Sequence, residues 1–251
     1  MKYMRVSVLA SGSKGNATFV EMDGVRVLID AGISARRIAQ GLSALSVPLS
    51  ALDAILVTHE HSDHIAGLRT LLKRTTAPLY ARPGTLRALP EELPGERLCA
   101  LHDMTEIGPV RVSAFSIPHD AADPVGYVLS GSGRCVVATD IGHVTEEVRG
   151  AVEGADILVL EANHDVTMLR KGPYPWPLKQ RILGARGHLA NDEAARTLAR
   201  LRRPPKRVFL AHLSETNNLP ELAEQTVRGI LAAGGRSCLE LTLARQDEMV
   251  V

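Results

Sequence analysis

The chain has 251 residues, of which 45% are hydrophobic and 23% charged, which excludes an intrinsically disordered chain and leaves room for one large folded domain or two small ones. Its 29 Lys and Arg offset 28 Asp and Glu to a net charge of +1, so it is no general polyanion binder, and any nucleic-acid contact must come from a local patch. Cys99, Cys135 and Cys238 are widely spaced, without a CxxC pair; they disfavour a disulfide framework or a thiolate zinc site and read as small buried hydrophobes in a reducing cytoplasm.

Lys2 and Arg5 precede an apolar stretch at 6–10 that is shorter than the roughly 7 to 15 residues of a signal peptide, so 5–9 is read as a first strand. No apolar run approaches the roughly 18 to 20 residues of a membrane-spanning helix. Strands at 18–22 and 25–29 flank the turn dipeptide Asp23-Gly24 as a hairpin. Residues 34–45 carry Ile38, Leu42 and Leu45 at helical spacing behind a Ser cap, with Pro48 as a stop. A buried strand at 54–57 then runs into a histidine cluster.

Three more strands are expected at 110–117, 125–129 and 134–139, the last two joined by Gly131-Ser132-Gly133. Helical stretches at 145–151 and 191–201 precede apolar strands at 157–160 and 207–211, the alternation of an α/β layer. A helix over about 221–231 and a strand at 239–243 close the chain. With no linker or low-complexity tract between these parts, one domain over 1–251 is expected, with two sheets face to face and helices outside. A cut near 120–130 gives two halves of similar element order.

Thr58-His59-Glu60-His61-Ser62-Asp63-His64 places three imidazoles and a carboxylate within six residues of a strand-to-helix loop. Neutral imidazole and carboxylate suit zinc, manganese or iron, and a loop lets residues two apart converge on one ion while the next pair turns to a second. The alternative is a polar loop with coincidental histidines.

This HxHxDH run resembles the motif of the metallo-β-lactamase superfamily, and the resemblance extends over most of the chain. Asp30 in Leu28-Ile29-Asp30-Ala31-Gly32 matches the family's strand-ending Asp-x-Gly element, and His119, Asp140 and His212 each stand at the end of an expected strand, where the family places its remaining ligands. The resemblance implies an α+β fold, the four-layer αββα sandwich, and two divalent metal ions. His59, His61 and His119 would hold one ion, Asp63, His64 and His212 the other, with Asp140 bridging. A bridging hydroxide would be the nucleophile, since two cations about 3.5 to 4 Å apart share a water and lower its pKa toward about 7. Asp30 reads as a carboxylate that orients a ligating imidazole rather than as a ligand. Loop 11–16 and Lys14 either present a phosphate cradle or form a tight turn.

The second half is similar to ribonuclease Z and, over nearly the whole chain, to the YycJ (WalJ) group of bacterial exonucleases. The match is carried by Leu9-Ala10-Ser11-Gly12-Ser13, Glu161-Ala162-Asn163-His164-Asp165, Tyr174-Pro175-Trp176, Gly187-His188-Leu189 and Ala211-His212-Leu213-Ser214, with Asn217-Asn218 beyond. It implies cleavage of DNA from the 5′ end at a zinc- or manganese-type centre. Glu161 and His188 match positions that shuttle a proton to the leaving oxygen, and an imidazole is a suitable acid for an alkoxide. Asn163-His164 and Leu189-Ala190 depart from the ribonuclease motif, so His164 competes as the acid or as a further ligand. His102 reads as a surface residue and His143 as either a neighbour of the metal ligands or a loop histidine.

Between 170 and 188 stand Arg170, Lys171, Lys179, Arg181 and Arg186 with no acidic residue, together with Tyr174 and the only tryptophan, Trp176. Such a segment can neutralise phosphates and stack on unpaired bases, or it can be a proline-braced surface loop with its rings packed inward. DNA is the expected partner and no membrane is. The alternatives are a hydrolase for a cyclic phosphodiester, thioester or lactone, and a non-hydrolytic or redox protein. A scaffold would have lost ligands, and the redox reading calls for an electron-carrier domain that the residues after His212 do not accommodate.

Overall fold

Two strand-forming patterns repeat along the chain and set its layers. The computed structural model describes residues 4–236 and 238–251; Lys2 lies outside them. The first sheet is built from β1 (Met4–Ala10), β2 (Ala17–Met22), β3 (Val25–Ile29), β4 (Ala54–Leu56), β5 (Leu79–Ala81) and β6 (Leu98–Ala100), in that spatial order. Its helices are α1 (Ala35–Ala44), α2 (Ser62–Ile65), α3 (Leu68–Leu72) and α4 (Pro83–Ala88). The second sheet takes β7 (Met104–Ile107), β8 (Val110–Ser116), β9 (Val125–Ser130), β10 (Arg134–Ala138), β11 (Ile157–Glu161), β12 (Arg207–Ala211) and β13 (Glu240–Leu243), again in chain order. With it go α5 (Glu146–Val152), α6 (Val166–Lys171), α7 (Trp176–Ile182), α8 (Asn191–Arg200) and α9 (Pro220–Ala233).

Side chains alternate across a strand, and here both faces are apolar, so each sheet is covered on both sides. Val27 and Ile29 of β3 meet Val112, Tyr127 and Phe209 between the sheets. Leu28, on the opposite face, packs with Ile38 and Leu42 of α1 and Leu68 and Leu71 of α3. The outer face of the second sheet, with Val136, Leu158 and Leu210, is covered by Val148 of α5, Leu198 of α8 and Val227 of α9. Three apolar layers thus separate four structural ones, the αββα sandwich. Ile38 and Leu42 are completely buried and each stabilises the fold by about 1.5–3 kcal/mol; an Asp at either would open the first layer. Ser34 caps α1 by accepting from Arg37 N at 3.3 Å.

Both sheets run an antiparallel meander into a parallel array, β1 to β3 then β3 to β6, and β7 to β10 then β10 to β13. The halves therefore do share an element order, but the sheet changes between Ala100 and Met104 rather than near 120–130. β5 and β6, at three residues each, are too short to show a period. Of the cysteines only Cys135 is fully buried; Cys99 is half-buried and Cys238 exposed, which corrects the reading of all three as buried. Among the described residues, no helix is long and apolar enough to cross a membrane.

Candidate metal centre

The site gathers at the carboxyl ends of β3, β4, β10 and β12. Asp30, Asp140 and His212 follow their strands with φ of 62°, 59° and 55°, a left-handed turn that costs a non-glycine residue about 1–3 kcal/mol and is held by its surroundings. Those surroundings are visible: Asp30 N donates to Leu56 O at 2.8 Å and His212 N to Ser11 Oγ at 2.7 Å.

Asp-Ala-Gly acts as a clamp on the histidine loop. Asp30 is buried and accepts from Thr58 N at 2.8 Å and from His64 Nδ1 at 2.8 Å, which fixes the tautomer that leaves His64 Nε2 free for a ligand. Ala31 N donates to His64 O at 2.8 Å. A Cβ on Gly32 would lie 1.6 Å from Asp63 O, so only glycine lets the two loops touch. Thr58 Oγ1, within 3.0 Å of His59 Nδ1, and Asn16 Nδ2, 3.2 Å from His64 Nε2, complete the clamp. Neither was singled out from the sequence.

Among the described residues four groups form, in each of which the ligand atoms lie within 4.8 Å of one another: His59, His61 and His119; Asp63, His64 and His212; His59, His64 and Asp140; and Asp140, Glu161, His188 and His212. The first two are the triads expected from the sequence, and Asp140 belongs to both of the others. His61 Nδ1 and His119 Nε2 are 3.3 Å apart. Asp140 Oδ2 is 3.3 Å from His64 Nε2, and Asp140 Oδ1 is 3.3 Å from His212 Nδ1.

Buried His59 Nε2, His212 Nε2 and Asp140 Oδ2 have no hydrogen-bond partner among the described residues. Orphaned buried polar atoms are costly, and three converging ones in an imidazole and carboxylate set fit divalent metal ions. The electrostatics agree. Burial favours the neutral acid at Asp63, but the imidazoles of His212 and His64, 3.6 and 3.5 Å away, outweigh it and hold the carboxyl far below its ordinary range. At Asp140, too, burial opposes ionisation and the surrounding imidazoles, His212 and His64 foremost, prevail.

Glu161, fully buried at the end of β11, accepts four hydrogen bonds. Oε1 takes His188 Nδ1 at 2.8 Å and His212 Nδ1 at 2.9 Å, and Oε2 takes Ile141 N at 2.6 Å and Leu189 N at 3.1 Å. Burial raises its pKa, yet the His188 imidazole more than compensates and brings it down to about 2. For His188 burial favours the neutral ring and Glu161 the charged one, and Glu161 prevails, raising the pKa. Glu161 thus orients a candidate ligand and the candidate acid at once, a double role the sequence did not reveal.

His164 is buried with neither ring nitrogen partnered among the described residues, and it belongs to none of the ligand groups. Burial lowers its pKa to about 4. His143 is exposed and hydrogen-bonded to Ala185 O at 3.0 Å, a loop histidine; His102 is exposed as expected.

A cleft of about 230 Å³ opens over the cluster, lined by His61, Asp63, His119, Asp140, His188 and His212 on its floor and by Tyr174, Leu178, Arg181 and Arg186 on one wall. That wall comes from the basic segment, in which α7 carries Leu178 and Arg181 while Tyr174 and Arg186 stand in the loops before and after it. Pro175 and Pro177 flank Trp176, the first residue of α7, where a missing N–H costs nothing. Trp176 is 60% exposed, so its ring does not pack inward, and it lies outside the cleft lining. Lys179 corrects the expectation: it is buried, and Nζ donates to Arg170 O at 2.8 Å and Gly172 O at 2.7 Å, closing the end of α6 instead of facing a ligand. Lys14 corrects it too. Its Nζ pairs with Glu215 at 2.6 Å, and the N–H groups of Gly12, Lys14, Gly15 and Asn16 are spent on Asn16 Oδ1, Gln246 Oε1, Gly12 O and Asp63 O, so loop 11–16 is a tight turn that brings Ser13, and not Lys14, to the cleft.

Residues 25–213 match the model of the beta-lactamase superfamily domain. The chain is 38% identical over 239 residues to exodeoxyribonuclease YycJ of Bacillus anthracis, covering 92% of this chain and 90% of that one. The chain belongs to the metallo-β-lactamase superfamily. Within it, exodeoxyribonuclease WalJ of Streptococcus pneumoniae is likewise 38% identical over 91% of this chain and 88% of its own, which places the chain in the YycJ group. Among solved structures of the superfamily, YhfI of Bacillus subtilis superposes with a TM-score of 0.74 at 17% identity, covering 98% of both chains; at that identity it speaks for the fold alone. Together with these exodeoxyribonuclease relatives, membership makes the chain a metal-dependent hydrolase.

Proposed function

We propose that the chain is a dimetal phosphodiesterase that removes nucleotides from the 5′ end of DNA, with residues 1–251 acting as one catalytic domain in the cytoplasm. One observation carries the reading: two triads joined by Asp140 share a cleft with a histidine already fixed by a buried carboxylate. The YycJ and WalJ relatives, both named exodeoxyribonucleases, support DNA as the substrate. In this proposal His59, His61 and His119 hold one divalent ion, Asp63, His64 and His212 the other, and Asp140 contacts both; zinc and manganese both suit the set. Ions bound there polarise a phosphoryl oxygen and lower the pKa of water.

The protein's own groups do the remaining work. Asp30 holds His64, and Glu161 holds His212, each at ring Nδ1, which would leave Nε2 to an ion. An ionised carboxylate only accepts, so His188 Nδ1 carries one proton in its bond to Glu161, and the charged ring that Glu161 favours carries a second on Nε2, the one passed to the departing oxygen. Arg181, Arg186 and Tyr174 on the cleft wall meet the phosphate chain, and exposed Trp176 offers a stacking face to an unpaired base. The test is incubation of metal-loaded protein with DNA labelled at the 5′ or the 3′ end. Early release of short labelled products from the 5′ label alone supports the proposal. Hydrolysis of a cyclic phosphodiester, thioester or lactone with intact DNA would instead make the chain a small-molecule hydrolase.

A further inference from the structure

Asp120 follows His119, and its two carboxylate oxygens face different partners. Oδ1 lies 3.5 Å from His119 Nε2. Oδ2 accepts from Arg181 Nε at 2.6 Å and pairs with Arg181 Nη2 at 2.5 Å. The contact joins the loop after β8 to the cleft face of α7, and both residues line the cleft.

The pair is 31% and 62% exposed, a setting in which an ion pair contributes little to stability. Its effect is geometric. A free arginine at the rim would sample many rotamers, whereas Nε and Nη2 on one carboxylate fix the plane of the guanidinium and leave Nη1 for another acceptor. Among the described residues no other side-chain hydrogen bond or ion pair holds the Arg181 guanidinium, and its neighbours on α7, Leu178 and Ile182, carry no charge.

We propose that Asp120 is a positioning residue that holds Arg181 over the metal cluster, so that the guanidinium meets a phosphate oxygen of the bound strand. The proposal rests on the phosphodiesterase reading for its ligand. It makes Asp120 act through Arg181 and neither as a metal ligand nor as a competitor of the phosphate.

A double-mutant cycle tests it. Metal content, cleavage of end-labelled DNA and equilibrium binding of a fluorescent 5′-phosphorylated oligonucleotide in calcium are measured for wild type, Asp120→Ala, Asp120→Asn, Arg181→Ala and the double variant. We expect Asp120→Ala to raise KM and Kd by about three- to tenfold with kcat and bound metal nearly unchanged, Asp120→Asn to recover part of the loss, and the double variant to match Arg181→Ala. Loss of metal in Asp120→Ala would make Asp120 a ligand, multiplied losses would make the two residues independent, and tighter binding would make Asp120 a mask; each overturns the proposal. Wild type that binds the oligonucleotide without cutting it refutes the nuclease reading but leaves the cycle readable in Kd. Wild type that does neither overturns both.

Discussion

Replacing Glu161 by Gln removes one charge and no volume, and the structure sets the consequence. The native carboxylate accepts two imidazole N–H groups on Oε1 and two backbone N–H groups on Oε2. An amide has one acceptor oxygen and one donor NH2. If the oxygen stays with Ile141 and Leu189, the NH2 faces His188 and His212, which must then accept at Nδ1 and carry their proton on Nε2. A ring protonated at Nε2 cannot offer that nitrogen to a metal, so the His212 side of the site weakens. If the amide is reversed, two buried backbone donors lose their acceptor, at about 1–3 kcal/mol each. Losing such an orienting partner costs about 10- to 100-fold in metal affinity, and without the carboxylate that favours the charged His188 ring the neutral Nε2–H is too weak an acid, which costs a further factor of about 10²–10⁴ in rate. Glu161→Gln should therefore lose at least about 10²-fold in kcat and bind its second ion about 10- to 100-fold more weakly, by metal titration and DNA cleavage on the same preparation. Activity within threefold of wild type with a full metal complement would refute the reasoning, because the acceptor geometry would then be dispensable.

His188→Ala should lower turnover by about 10²–10⁴ while metal content holds, and a phosphodiester with a much better leaving group should regain most of the loss; equal losses on both substrates would shift attention to His164. Trp176→Ala should weaken single-stranded DNA by about 1–3 kcal/mol and duplex by less, in fluorescence anisotropy. Lys179→Met removes two hydrogen bonds from a buried ammonium and should cost about 1–3 kcal/mol in urea unfolding, with KM for DNA changing far less than for Arg181→Ala; a selective loss of DNA affinity would show that Lys179 reaches the substrate after all.

The parts legible in the sequence share a physical trait: a local pattern long enough to read. Residues 25–29 were legible because Asp23-Gly24 marks the turn, and α1 because Ser34 caps an apolar stripe. The histidine loop showed because its ligands are neighbours in the chain. His119, Asp140 and His212 stood out through the family resemblance, each at the end of an apolar strand where the family places its remaining ligands. What tertiary contact decides could not be read. Lys179 looks like any surface cation until α7 turns it under Arg170. Lys14 looks available until Glu215, 201 positions on, meets it. The contact of Asp120 with Arg181 exists only once α7 is folded against the loop after β8. α7 itself was hidden because its prolines read as loop signals, although in the first turn they favour a helix.

The central claim is that two metal triads sharing Asp140 perform phosphodiester hydrolysis, and elemental analysis of metal bound per chain, made together with cleavage of end-labelled DNA, tests it most directly. Wild type should bind two divalent ions, Asp63→Ala should keep about one, on His59, His61 and His119, with circular dichroism unchanged, and Asp140→Ala should weaken both; neither variant should cut DNA. Wild type that saturates with a single ion, or an Asp63→Ala or Asp140→Ala protein that cuts DNA at full rate, would contradict the account.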